Sequence, residues 1–524
     1  MLLWGSNARE AHPIWFHHLL KGVRRGAKLF VVDPRRTASA QWAEGWLPVR
    51  VGSDISLANG MAKVILAEGL ENREFLGAAV EGLEAYRAVV ARYPLDRVER
   101  ETGVPAELVR TAARAFAQAP RAMICWTLGI TEHHNAVDNV LSLINLALLC
   151  GHVGRWGSGL NPLRGQNNVQ GGGDMGALPY KLPGFIDLED DAYRAKCEAA
   201  WGCTIPKQRG WTLTQMFEAM GAQGGLRALY VLGENPLQSE ADAHKTRARL
   251  ESLDFLLVQD LVLTRTAAMA HVVLPAAASW CESEGTVTSS ERRVQRVRRA
   301  LTPPGEARDD LDILAALSKR LGFDFGTPTA EEHWEELRSL SPLHRGMTWK
   351  RLEEHGGLQW PCPSLESPGE PFLHGRLWKR PLEGPKVRFH PAEHEGPVEA
   401  LTPDYPLRLT TGRRLDSYNT GVATSAFTTP LRRAETVDLS AADARALGVA
   451  VGERVRISTR RGAVEAPARI DEGLPPGLVF MTFHFPDEVE TNRLTIDATD
   501  PKSGTAEYKA AAARVEKIAK LAQR

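Results

Sequence analysis

The chain of 524 residues carries only six cysteines, at positions 125, 150, 197, 203, 281 and 362. They are scattered, and the closest pair, Cys197 and Cys203, lacks the two-residue spacing of a metal knuckle, so buried or incidental thiols are the expectation. Net charge is also lacking, with 64 Lys and Arg against 64 Asp and Glu, which gives no global reason for nucleic acid or an anionic membrane as a partner. No segment approaches the roughly 18 uninterrupted apolar residues of a membrane helix. The start, Met1 to Gly5, has neither the basic opening nor the apolar core of a secretory signal. These absences predict a soluble, cytoplasmic protein whose membrane attachment, if any, runs through another subunit. The usual phosphate fingerprints are missing too: no Gly-x-x-x-x-Gly-Lys-Ser/Thr occurs, and no Gly-x-Gly-x-x-Gly follows a strand, which argues against a nucleotide triphosphatase or a simple nicotinamide enzyme.

What is present suits a multidomain globular protein. A single core stops growing near roughly 250 to 300 residues, so two to four domains are expected, and 43% hydrophobic with 24% charged residues indicates neither disorder nor a fibre. Short apolar runs alternate with helical patterns in the first region, as in a doubly wound α/β domain: Leu2 to Trp4, Leu29 to Val32 and Met123 to Leu128 read as strands, and Leu57, Met61, Val64 and Ile65 share a helical face. Ala228 to Leu232 and Phe255 to Val258 repeat the grammar. Beyond residue 400, Leu407 to Thr411, Arg454 to Thr459, Ala463 to Ile470 and Leu478 to Phe485 read as strands, with Arg461-Gly462 as a hairpin turn. The expected fold class is α/β, with two doubly wound Rossmann-like domains over 1–165 and 166–340, a wrapping linker over 341–400, and a β-barrel of double-psi type over 401–524. The first strand is expected to have an uncovered edge, since nothing precedes it.

Three strand-end loops, Gly5-Ser6-Asn7, Asp33-Pro34-Arg35 and Gly52-Ser53-Asp54, fall where a doubly wound sheet gathers its ligand groups. Glycine permits close backbone approach, an Asp can pair bidentately with a guanine edge, and Arg35 can meet phosphate. Any one of them is an ordinary turn; their joint placement describes a nucleotide pocket. His390-Pro-Ala-Glu-His394 matches an inverted zinc-protease pattern, but that motif needs a helix and Pro391 opposes one, so zinc is not expected there.

The segment Asn161-Pro-Leu-Arg-Gly-Gln-Asn-Asn-Val-Gln170, followed by Gly-Gly-Gly-Asp-Met-Gly-Ala-Leu-Pro179, is similar to the signature loop of molybdenum formate dehydrogenases. Gly151-His-Val-Gly-Arg-Trp-Gly, Gly233-Glu-Asn-Pro, Gln259-Asp260 with Thr264, Glu282-Ser-Glu-Gly-Thr286, Leu409-Thr-Thr-Gly-Arg413 with Tyr418-Asn-Thr, and Phe480-Met-Thr-Phe-His484 with Asn492 and Tyr508-Lys509 resemble the same family in the same order. The resemblance implies a molybdenum or tungsten centre held by two molybdopterin guanine dinucleotides, placed between two α/β domains and closed by the barrel. It implies that Gly5, Ser6, Asn7, Asp33, Arg35, Gly52, Asp54, Leu128 and Gly129 hold one dinucleotide, and that Gly233, Glu234, Asn235, Gln259, Asp260, Thr264 and Asp310 hold the other. Thr411, Gly412, Arg413, His484, Asn492 and Lys509 would cap the pterins, with Gly165 beside them. Arg164 would hold the formate carboxylate, for which the fixed guanidinium fork suits bidentate pairing with a small planar anion.

The same resemblance implies a 4Fe-4S cluster and a Cys or selenocysteine ligand to the metal, and no segment of this chain matches either. Both are expected upstream of Met1, where an in-frame selenocysteine codon read as a stop would have displaced the start, and the chain alone is expected to be inactive. Gly172-Gly173 stands where Ala-Cys is frequent, and Leu311 where a Trp is. The partners expected are formate and an electron-transfer segment or subunit, with no nucleic acid and no direct membrane insertion. Rival readings are an enzyme of the assimilatory nitrate reductase type on the same scaffold, and a truncated, non-catalytic pterin-binding fragment.

Overall fold

The computed structural model describes residues 1–415 and 434–518. They form two compact units, one comprising Met1–Leu163, Gln238–Arg247 and Phe372–Arg524, the other Arg164–Leu237 and Ala248–Pro371.

The first unit opens on β1 (Leu2–Trp4), whose three residues are all buried. With β2 (Phe30–Val32), β3 (Gly45–Leu47), β4 (Met123–Trp126) and β5 (Gly159–Pro162) it forms a sheet of order β3-β2-β1-β4-β5, parallel throughout. Helices on both faces explain why β1 and β2 are continuous apolar runs instead of alternating ones. On one face Asp54–Ala67 and Ala136–Cys150 pack Leu57, Met61, Leu143 and Leu146 against Leu2 and Trp4. On the other, Phe16 and Leu19 pack against Leu3 and Val31. β1 is thus the middle strand, paired on both sides, which corrects the expectation of an uncovered edge: crossovers deliver β2 and β4 to its two flanks. Strand order reverses between β1 and β4, and the crevice beyond the carboxyl ends at such a switch point is where doubly wound sheets bind ligands.

Residues 372–400 belong to this unit. Phe389 stacks on Tyr86 at 4.7 Å and Trp378 on Phe75 at 4.9 Å, while the Asn59 amide donates to the Ala392 carbonyl. The His390 to His394 segment is non-helical, and the backbone amides of His390 and His394 donate to Asn145 Oδ1 and the Tyr93 hydroxyl.

The same unit carries a closed barrel of β9 (Leu407–Thr411), β10 (Val437–Leu439), β11 (Arg454–Ser458), β12 (Ala463–Ile470), β13 (Leu478–Met481) and β14 (Ala511–Lys517), in the order β9-β13-β10-β12-β11-β14. The pairs β9·β13 and β10·β12 are parallel and β9·β14 antiparallel. Val437, Leu439, Val455, Ile457, Val479, Met481 and Val515 fill its interior, and closure removes the edges that an open sheet would expose.

In the second unit β6 (Ala228–Leu232), β7 (Phe255–Asp260) and β8 (Val272–Pro275) form a parallel sheet of order β8-β7-β6. An antiparallel hairpin of Gly285–Thr288 and Arg293–Val297, extended by Leu358–Gln359, lies in the same unit. A mixed α/β fold with a C-terminal barrel is therefore the architecture, as the residue pattern implied. Among the described residues no helix is long and apolar enough to cross a membrane.

Candidate functional site

In the first unit the site is built at the carboxyl ends of β1, β2 and β4. β1 runs into Gly5 at φ +55°, and the Gly5 amide donates to the Val32 carbonyl at 2.8 Å. From the other side Thr127 Oγ1 and the Gly129 amide donate to the Gly5 carbonyl, at 2.7 and 3.2 Å. The two glycines touch backbone to backbone: a Cβ on Gly5 would lie 2.8 Å from the Gly129 carbonyl carbon, and one on Gly129 2.6 Å from Gly5 O. Two loops at the switch point are thereby brought as close as two backbones can come, a contact that only glycine permits.

Beside them the Ser6 hydroxyl is fully buried and has no hydrogen-bond partner, and the same holds for Thr37 Oγ1. Buried hydroxyls are nearly always partnered, so this pair of orphans fits a polar ligand that reaches the β1 and β2 loops. Asn7 Oδ1 accepts from Ser39 Oγ at 3.0 Å. Asp33 is buried and accepts from the Arg35 amide at 2.9 Å; burial pushes its carboxyl up to about 6, against the opposing pull of Arg35. Asp54 accepts from the Trp4 indole at 2.8 Å, and burial raises its carboxyl as well. Gly52, at φ +80°, precedes it and packs on Pro397. Leu128 presents an exposed side chain next to Gly129.

The barrel closes over this crevice. The Arg35 guanidinium lies 3.6 Å from the centre of the Phe480 ring, and the Arg36 amide donates to Gly473 O at 2.8 Å. Gly412 packs against Phe480, whose ring a Cβ there would meet at 2.8 Å. Lys509 is buried, with Nζ 2.6 Å from Glu132 and 3.1 Å from the Thr411 carbonyl. Thr411 Oγ1 donates to Tyr508 O. His484 Nε2 accepts from the Arg414 amide at 3.0 Å, which leaves any ring proton on Nδ1. Arg413 is half-buried. Asn492 donates to the Gln238 and Ser239 carbonyls, so its amide pins a passing segment. The Tyr418-Asn-Thr segment lies outside the described residues.

Several residues that pattern reading did not single out hold this arrangement. Glu507 accepts from the His134 and Lys509 amides, at 3.1 and 2.8 Å, and lies 3.2 Å from His133, whose other ring nitrogen lies 3.1 Å from Gly129 O. Burial alone would raise Glu507 and lower His133. Their mutual attraction reverses both, holding the carboxyl well below its ordinary range and the imidazole above its own. The only signal for Glu507 was its place next to Tyr508-Lys509, and His133 gave none.

The second unit repeats the device at the ends of β6 and β7. Gly233, at φ +65°, donates to the Gln259 carbonyl. Asn235 Oδ1 accepts from the amide and hydroxyl of Thr266, at 3.1 and 2.8 Å. Gln259 is fully buried between Tyr230 and Asp310, bonding both. Asp260 accepts from Leu261 N at 2.7 Å, and Thr264 Oγ1 from Ala267 N. Burial raises the carboxyls of Glu234, Asp260 and Asp310. Arg164 and Gly165 start an exposed stretch leading into the helix Val169–Asp174. Among the described residues no group of three or more His, Cys, Asp or Glu side chains could hold a metal ion.

Glycine loops meeting at a switch point, with orphaned buried hydroxyls beside them, suit a nucleotide ligand. Two family models match the chain: Molybdopterin oxidoreductase over residues 1–320 and Molydopterin dinucleotide binding domain over 407–512. It is 41% identical over 523 residues to the F420-dependent formate dehydrogenase 2 subunit alpha of Methanococcus maripaludis, covering 99% of this chain and 76% of that one. Formate dehydrogenase H of Escherichia coli is 35% identical over 525 residues, covering 99% and 73%. Acetylene hydratase from Pelobacter acetylenicus shares the fold, with a TM-score of 0.73 at 22% identity, covering 99% of this chain and 77% of that one. The chain belongs to the molybdopterin oxidoreductase family, and the barrel residues fall within the segment that matches the dinucleotide binding domain.

Proposed function

We propose that the protein is the catalytic subunit of a formate dehydrogenase, oxidising formate to CO2 with release of one proton and two electrons. The observation that carries this is identity to formate dehydrogenases along 98–99% of the chain, higher than to nitrate reductases. The cofactor on this reading is a molybdenum or tungsten bis(molybdopterin guanine dinucleotide). Asp33, Arg35 and the loops at Gly5 and Gly129 hold one dinucleotide, and Glu234, Asn235, Gln259, Asp260 and Asp310 hold the other. Thr411, Gly412, Arg413, His484 and Lys509 face the pterins. Bound there, the cofactor supplies the two-electron redox chemistry. The chain's own residues orient and hold: Arg164 grips the carboxylate through two parallel N–H donors and fixes the C–H bond in one direction. Electrons pass to an iron-sulfur segment or partner subunit, in a cytoplasmic setting.

The test is metal and pterin analysis of the purified holoenzyme with dye-linked assays on formate and on nitrate. Molybdenum or tungsten with two pterins per chain and formate-dependent dye reduction are expected. Nitrate reduction without formate oxidation overturns the substrate assignment, and a chain purified without metal or pterin overturns the enzyme reading.

A further inference from the structure

The helix Val169–Asp174 lies directly after the Arg164 loop and is held at its two ends by different devices. At its start Asn168 sits in the left-handed region at φ +66°. Its Oδ1 accepts from the Thr288 amide at 2.9 Å, and its own amide donates to the Thr288 carbonyl at 3.2 Å. At its end Asp174 is buried, and its Oδ2 lies 3.4 Å from Nε2 of His344 and 3.3 Å from the Gln170 amide that donates to it. His344 Nδ1 lies 2.7 Å from Ser341 Oγ. The Asp174 carbonyl accepts from the Gly184 amide. Ser341, His344 and Asp174 are 0%, 1% and 3% exposed.

Serine, histidine and aspartate in line suggest a nucleophile, but the burial excludes it. No substrate reaches a hydroxyl that is closed off and packed under Gly184, where a Cβ would meet Ser341 Oγ at 2.7 Å. What the chain of groups can do is hold. Asp174, as an acceptor, faces Nε2, so that nitrogen carries the proton, and Nδ1 accepts from the serine hydroxyl. A carboxylate buried at the end of the helix is then fixed in direction by a ring that is itself fixed.

This matters because part of the loop borders a void. Asn167, Asn168, Met175 and Gly176 line a cavity of about 960 Å3 in the same unit, and Arg164 to Val169 are exposed. Side chains that border a void lack the contacts that fix a close-packed core. The two polar anchors, Asn168 to Thr288 and Asp174 to His344, therefore tie both ends of the helix that follows Arg164.

We infer that His344 is a positioning residue for the Arg164 loop, acting through Asp174 on the helix that carries it. Its link to substrate rests on the formate reading above; its link to the loop does not.

The experiment compares holoenzymes bearing His344→Phe and His344→Gln with the unaltered protein, by amide hydrogen exchange and by formate kinetics. His344→Phe keeps a flat ring and removes both nitrogens; His344→Gln restores a donor and an acceptor. Exchange at the Met175 and Gly184 amides is expected to rise about tenfold in the Phe variant while exchange in β6 and β7 stays unchanged. KM for formate should rise about tenfold with kcat within about threefold, the split expected when a substrate-holding group loosens. The Gln variant should recover most of both effects. Unchanged exchange at Met175 and Gly184, or a rise shared by the whole unit, overturns the inference, as does faster exchange with no change in KM. If the unaltered enzyme oxidises no formate, the functional reading fails while the exchange result still judges the anchor.

Discussion

His133 Nδ1 lies 3.2 Å from Oε2 of Glu507, a residue 374 positions further along the chain, and its other ring nitrogen lies 3.1 Å from the Gly129 carbonyl. One buried imidazole thus ties the switch-point loop to the barrel. Replacing Glu507 with Gln leaves that imidazole without its counter-charge, and a loss of about 3 kcal/mol is expected near pH 6. The two titrations set the window. His133 is raised above its ordinary 6.5, so its contribution is complete below that value and fades as pH rises through the folded-state value. Glu507 is held below its ordinary 4.5, so its contribution is present above that value and fades as pH falls through the folded-state value. The gap in urea midpoint between wild type and Glu507→Gln should be widest between pH 4.5 and 6.5 and narrow in alkali. A gap that grows from pH 7 to 9 contradicts the pairing.

Gly129→Ala should abolish dinucleotide retention. Its Cβ would meet the Gly5 backbone at 2.6 Å, and no flexible side chain is there to give way. A destabilisation of roughly 2 to 3 kcal/mol is expected from forcing the two loops apart, together with at least a tenfold loss of bound pterin. Retention of pterin at wild-type level would show that the loops can separate without harm to the crevice.

Asp33 should display a conflict between stability and binding. Its carboxyl is raised from 3.8 to about 6 by burial, so its ionisation opposes folding. Stability attributable to it is complete below pH 3.8 and is lost as pH rises to about 6, a cost of about 3 kcal/mol at neutral pH. Asp33→Asn in the cofactor-free chain should therefore melt higher at pH 7 and no differently at pH 3.5, while binding the cofactor more weakly. Equal melting at both pH values would remove the strain argument.

Arg164→Lys keeps the charge and loses the planar fork. On the formate reading kcat/KM should fall about a hundredfold, mostly through KM, with pterin content unchanged. A variant with wild-type KM would detach Arg164 from the substrate.

Much of the scaffold was legible because burial leaves plain marks. β1 and β2 read as strands since both faces are covered and every position is apolar, and Arg454–Ser458 read as one because its burial alternates. The glycine loops after β1, β4 and β6 were legible for the same local reason. β14 was not, because Ala511-Ala512-Ala513 has helix propensity; barrel packing, which needs small side chains against β9, overrides it. The central place of β1 was illegible because its partner β4 arrives some 120 residues later. Glu507 and His133 were hidden by the same distance, since a buried pair so far apart leaves no periodic trace. His344 was hidden because a lone histidine in a loop gives no sign of the aspartate it faces.

β14 pairs with both β9 and β11, and just before it stand Glu507 and Lys509, which support Gly129 and Glu132. During synthesis the β1 and β4 loops therefore emerge hundreds of residues before their final braces exist. A nascent chain paused at residue 480 would carry a finished sheet with an unsupported mouth. The mouth of the first sheet is thus braced only once the last barrel strand is in place.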